Sequence, residues 1–221
     1  MEKITLASLR HHPKVETYIR FGHEHLGVMG FTEHGFRHAT LVSTISHQIM
    51  QRLGYEEREA ELAAIAGYLH DIGNVISRQD HGGTAAIMAM QLLEQLGMPY
   101  EEIAVIGGAI GNHEEQYGVA VNPVAAALIL ADKSDVHRSR VRNRDLATFD
   151  IHDRVNYAVT HSFVRVDSEP RLITLELTID TDVSSIMDYF EIFLTRMVMC
   201  RRAATLLDAK FAIVINGTKL L

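Results

Sequence analysis

The sequence predicts a mainly α-helical bundle with a small C-terminal α+β appendage of ββαβ order, and three observations carry that expectation. Through the first two thirds of the chain apolar residues recur at helical spacing, whereas from Asn156 onward β-branched residues alternate with polar ones. In addition, histidines and aspartates fall on the apolar faces of the predicted helices. His38 is followed by Val42, Ile45 and Ile49, and His81 by Ala85, Met88 and Leu92. His113 is preceded by Ile103, Ile106 and Ile110, and Asp132 by Val124 and Leu128. A titratable group on an inward stripe costs roughly several kcal/mol unless it finds a partner, and one cation can partner several such groups at once. One such histidine is ordinarily a core residue hydrogen-bonded to backbone. The same anomaly on four separate segments points to metal ligands.

The first unit, residues 1–150, reads as about six main helices. Pro13, Pro99 and Pro123 stand near helix starts, and Gly30, Gly54, Gly73 and Gly97 near helix ends. The second unit, residues 151–221, opens with two strand-like runs, 157–166 and 172–179, joined by a turn at Ser168-Glu169-Pro170-Arg171. A long helix follows, with Ile186, Phe190, Phe193, Met197, Cys200, Ala204 and Leu207 in one stripe and Asp180 to Asp182 as capping candidates. Phe211 to Ile215 forms the last strand. The stripe is expected to cover the small sheet or a partner subunit, and the open sheet edges make a homodimer the expected assembly.

Composition bounds the function. The 221 residues, 47% hydrophobic, suffice for a full core. With 21 Lys and Arg against 28 Asp and Glu, the net charge of -7 argues against general nucleic-acid binding, though a local basic patch could hold one phosphate. No apolar run reaches the roughly 18 residues of a membrane span, and the start MEKITLASLR lacks a signal peptide's apolar core, so a cytoplasmic protein is expected. The single Cys200 permits neither an internal disulfide nor a cysteine-built zinc site, leaving imidazole and carboxylate as ligands.

The ligand set is His38, His70, Asp71, His81, His113 and Asp132. These donors suit iron or manganese, with zinc, cobalt, magnesium or nickel as alternatives. Six donors are too many for one catalytic ion that keeps open positions, whereas two divalent ions bridged by Asp71 would use them economically. His70 and Asp71 precede Gly73 at a helix's C-terminal end, where the dipole favours a cation. Asp135, one turn beyond Asp132, is expected behind the ligands.

The order His38, His70-Asp71, Asp132 resembles the H…HD…D signature of the HD-domain superfamily of metal-dependent phosphohydrolases. The strings HDIGN (residues 70–74) and LADKSD (residues 130–135) are close to that family's own, and the likeness spans residues 30–140. It implies a helical bundle in which His38, His70, Asp71 and Asp132 hold one ion, and Asp71, His81 and His113 a second. The stretch His113-Glu114-Glu115-Gln116-Tyr117-Gly118 lacks the tripeptide of the related HD-GYP enzymes, so cyclic di-GMP is not the expected substrate. Many relatives carry Lys where this chain has Asn74, a neutral amide, so phosphate neutralisation must come from elsewhere. Candidates are Lys133, Arg138 and Arg140, with Asn74 itself and His34, one turn before His38, as further substrate contacts.

The expected activity is hydrolysis of a small phosphorylated substrate, nucleotide or metabolite, with Asp71 bridging the metals and Lys133 meeting phosphoryl charge. Two alternatives remain open on sequence: a di-iron oxygenase of the same fold, and a non-catalytic sensor or scaffold with a structural metal.

Overall fold

The computed structural model describes residues 3–220. A short helix α1 (Leu6–Arg10) precedes the six long helices of the bundle: α2 (Pro13–Val28), α3 (Phe36–Arg52), α4 (Glu57–Leu69), α5 (His81–Gln95), α6 (Tyr100–Gly111) and α7 (Pro123–Ser134). Two of them run through the centre. In α4 every residue from Leu62 to Leu69 is buried, and in α7 every residue from Val124 to Ala131, with Ala or Gly at half of these positions in each. A helix that is apolar all round belongs in an interior, and small side chains let its neighbours approach closely. Asn122 caps α7 by accepting from the Ala125 N–H at 2.7 Å, and Pro123 opens its first turn.

The C-terminal unit begins with a helix rather than a strand. Residues 157 and 158, expected in a strand, close α8 (Ile151–Ala158), which Asp150 caps. The sheet then comprises β1 (Val159–Asp167), β2 (Leu172–Ile179), β3 (Lys210–Ile215) and a two-residue β4 (Thr218–Lys219), in the order β1-β2-β3-β4. β1 and β2 form the antiparallel hairpin, and β3 returns parallel to β2 after the long α9 (Ile186–Leu206). The cap of α9 is Ser185 with Asp188 in a reciprocal box, whereas Asp180 receives the Asp182 N–H in the preceding turn. The serine prevails because its hydroxyl stands where it can accept from the N–H three residues on.

The expected boundary at residue 150 does not divide the packing. One apolar cluster joins Leu128 and Ile129 of α7 to Phe193, Met197 and Cys200 of α9 and to Ile173, Leu175 and Ile213 of the sheet. The stripe of α9 therefore covers the bundle as well as the sheet. No helix among the described residues is long and apolar enough to cross a membrane.

Candidate metal centre

Five helix ends meet at one end of the bundle. His38 lies in the first turn of α3 and His81 opens α5, while His70 caps the C-terminus of α4, Asp132 sits in the last turn of α7 and His113 follows the end of α6. Three of these are C-terminal ends, whose carbonyl dipoles favour a cation, and two are N-terminal ends, whose dipoles oppose it. Two close approaches create the convergence. At Gly67 a Cβ would stand 2.9 Å from the Ser43 backbone, so glycine lets α4 lie against α3 beside His38. At Gly73 a Cβ would lie 2.2 Å from the His81 carbonyl oxygen, and its absence lets the turn after Asp71 (Ile72–Val75) press on the start of α5.

The six expected donors come together. His38, His70, His81 and His113 are buried, and their donor atoms with those of Asp71 and Asp132 form three overlapping groups in which all atoms lie within 4.8 Å of one another. Asp71 Oδ2 is 3.7 Å from His38 Nε2 and 3.6 Å from His70 Nε2, while Asp71 Oδ1 is 3.3 Å from His81 Nε2. Asp132 Oδ1 is 3.4 Å from His38 Nε2 and 3.7 Å from His70 Nε2. Donors bound at roughly 2.1 Å to a tetrahedral or octahedral ion are separated by about 3.0–3.4 Å, so these spacings need little contraction to close on a metal.

The tautomers supply an independent test of fit. His70 Nδ1 lies 2.8 Å from the Gly67 carbonyl, His81 Nδ1 3.0 Å from that of Arg78, and His113 Nδ1 2.6 Å from that of Ile110. A carbonyl only accepts, so each Nδ1 carries a proton and each Nε2, in the neutral ring, offers its lone pair. Yet His38 and His70 bring their Nε2 atoms to 3.2 Å, as do His81 and His113. Two imidazole nitrogens at that distance need a proton or a cation between them, and the buried Asp71 Oδ2 has no hydrogen-bond donor. The chemistry of the donor set fits a metal.

Electrostatics agree. Burial alone would raise Asp71 and Asp132, but His70 beside the first and Lys133 beside the second hold both carboxyls well below the usual carboxylate range. Burial pushes His113 well below the usual imidazole range. At His38 burial and the Arg140 charge act downward, and hydrogen bonds to Asp132 and Asp135 override them, lifting it to about 9. In the absence of an ion, a proton is thus drawn to the place where the carboxylates converge.

Behind the donors, Asp135 Oδ2 accepts from His38 Nδ1 at 2.6 Å and its carboxylate takes both terminal nitrogens of Arg37 at 3.2 and 2.8 Å. Asn74 donates to Asp71 Oδ1 at 2.9 Å. A cleft of about 650 Å³ opens beside the donors, lined among others by Lys133, His34 and Arg140. Lys133, itself buried, points its ammonium at Asp132 Oδ2, 2.6 Å away.

Three expected substrate contacts are placed differently. Asn74 is buried behind Asp71 and braces it, because its amide is spent on that carboxylate and on the Asp71 carbonyl. The Arg138 guanidinium lies 5.1 Å from the Tyr157 ring centre, away from the cleft lining, because the chain turns in a 3-10 helix (Arg138–Arg140) after Asp135. Arg140 reaches the cleft but is buried against the carbonyls of Asp135 and Glu33 and the His34 Nε2. Burial, with the Arg140 charge beside it, pushes His34 well below the usual imidazole range. Sequence reasoning missed Arg78 and Arg196, which line the cleft together with Glu114 and Glu115. The signal in the sequence was slight: Arg78 falls three residues before His81 in a loop, and Arg196 on the polar flank of the α9 stripe.

Comparison with known proteins gives three likenesses. The family model described as HD domain matches residues 35–154. An uncharacterized protein of Methanocaldococcus jannaschii, MJ1020, is 27% identical over 152 aligned residues, which cover 58% of each protein, so the chain spans little more than half of that relative's length. The crystal structure of a predicted HD superfamily hydrolase from an uncultured Thermotogales bacterium is similar over 61% of this chain and 75% of that one, at 22% identity and a TM-score of 0.46.

Proposed function

The chain belongs to the HD-domain family, and from that premise we propose that it is a metal-dependent phosphohydrolase that cleaves a small phosphoester, a nucleotide or a phosphorylated metabolite, with two divalent ions, iron or manganese, bridged by Asp71. The observation that carries the reading is the division of Asp71: Oδ2 faces His38 and His70 while Oδ1 faces His81, so one carboxylate addresses two groups of donors. His38, His70, Asp71 and Asp132 would hold one ion, and Asp71, His81 and His113 the other.

When bound, such a pair lowers the pKa of water toward 7 and polarises phosphoryl oxygens. The protein's own groups do the rest. Asn74 fixes the rotation of the Asp71 carboxylate, and Asp135 fixes the ring of His38 while accepting its Nδ1 proton. Lys133 stands where its ammonium can turn from Asp132 to a phosphoryl oxygen and meet the charge that develops there. Burial of His38, His70 and His113 leaves the cleft side as the approach for substrate and water.

The test begins with metal content of the purified protein, followed by phosphate release from mononucleotides, dinucleotides, cyclic dinucleotides and aryl phosphates. About two ions per chain and metal-dependent release are expected. Consumption of O2 without phosphate release, or full turnover in stripped protein, would overturn the reading.

A further inference from the structure

Four cationic side chains line the cleft, and three are already paired. Lys133 donates to Asp132, Arg196 donates to Glu115, and Arg140 is buried against Asp135 at 3.5 Å. Arg78 is the one without a carboxylate in ion-pair reach among the described residues. Its guanidinium lies 5.5 Å from the Phe31 ring centre, and Nη1 faces Asn74 Oδ1 at 3.4 Å and His81 Nε2 at 3.3 Å. His81 donates through Nδ1 to the Arg78 carbonyl, so its Nε2 has a single lone pair. If that lone pair serves an ion it cannot also accept from Arg78, whose Nη1 is then held only by the long contact to Asn74 Oδ1 and has an N–H to offer the cleft.

Arg78 and Phe31 also line a second compartment, of about 320 Å³, that adjoins the cleft. Phe193 of α9 and Asp153 and Asn156 of α8 form its other side. Small-molecule sites run from roughly 300 to 1,000 Å³, so this space suits a group about one ring system in size. We infer that Arg78, standing at the junction of the two spaces, binds a non-bridging phosphoryl oxygen, and that the adjoining compartment receives the ester's leaving group, which restricts the substrate to a small-molecule phosphoester. The inference rests on the phosphohydrolase reading, and it assigns to Arg78 the substrate charge that the sequence assigned to Arg138 and Arg140.

Binding separates the two. Isothermal titration of the metal-loaded full chain with inorganic phosphate is expected to show about ten- to hundred-fold weaker binding in Arg78→Ala, with partial recovery in Arg78→Lys and unchanged metal content in both. Thr32 lines the compartment but not the cleft, so Thr32→Trp is expected to weaken phenylphosphonate, a non-hydrolysable ester mimic, at least tenfold and phosphate less than twofold. No phosphate binding by the parent chain, or affinity within twofold in Arg78→Ala, overturns the phosphoryl contact. Equal phenylphosphonate affinity in Thr32→Trp overturns the leaving-group compartment. Phosphate binding that depends on Arg78, together with no phosphate release from any ester, would instead sink the phosphohydrolase reading and leave the anion site standing.

Discussion

Asp71 offers its two oxygens in two directions, and no other side chain of the centre touches both histidine pairs at salt-bridge range. Its loss therefore differs in kind from loss of one imidazole. In Asp71→Ala, metal content by elemental analysis is expected to fall below one ion per chain and turnover to vanish, while far-ultraviolet circular dichroism keeps the helical signal. Full loading and turnover in that variant would remove the basis for the centre. Asp135 acts one bond further out, through the ring it orients. Groups in that position commonly contribute 10–100-fold to metal affinity, and Asp135→Asn is expected to weaken binding by about that factor in a chelator competition. It also leaves the buried Arg140 without its carboxylate, while Arg37 keeps its pair with Glu33.

At the scale of elements, the centre depends on how closely helices can lie. The turn after Asp71 touches α5 through Gly73, where any side chain must displace the backbone of His81. Gly73→Ala is therefore expected to lower stability by about 1–3 kcal/mol or more in urea titration, and to cost metal affinity besides, because His81 moves with the backbone that yields. An ordinary helix-end substitution makes the control. Ser185→Ala removes the cap of α9 and should cost about 1 kcal/mol with metal binding unaffected. Gly73 was readable as a helix stop from sequence, but its tighter role was not. That role is set by the His81 carbonyl, which reaches it only once α5 has packed.

The whole molecule shows which features periodicity could carry. Helical spacing foretold the six bundle helices, and the inward donors on α3, α5 and α7, with His70-Asp71 at the end of α4, foretold that these side chains converge in groups able to hold a metal, because both rest on local pattern. The cations of the cleft were not foretold. Arg78 and Arg196 are ordinary polar positions in sequence, and Arg138 and Arg140 look equally exposed until the fold buries one and turns the other onto Tyr157. The shared core was also hidden, since the stripe of α9 does not name what it covers. With that core continuous, residues 1–150 alone would expose the face of α7 that α9 covers, and this fragment is expected to unfold at lower urea than the full chain or to aggregate. Cys200 reports on the same interface. Burial pushes its thiol up to about 12, so a thiol reagent should label it only as fast as the chain opens, with labelling and circular dichroism changing together along the urea axis.

Helix α9 lies beyond residue 154, where the match to the family stops, yet its Arg196 closes one wall of the cleft through Glu115. Chains with identical donors can therefore present unlike charge to an incoming molecule. A hybrid with a foreign carboxy-terminal third that still packed on α7 would keep the donors of the bundle and present a different charge at the cleft wall.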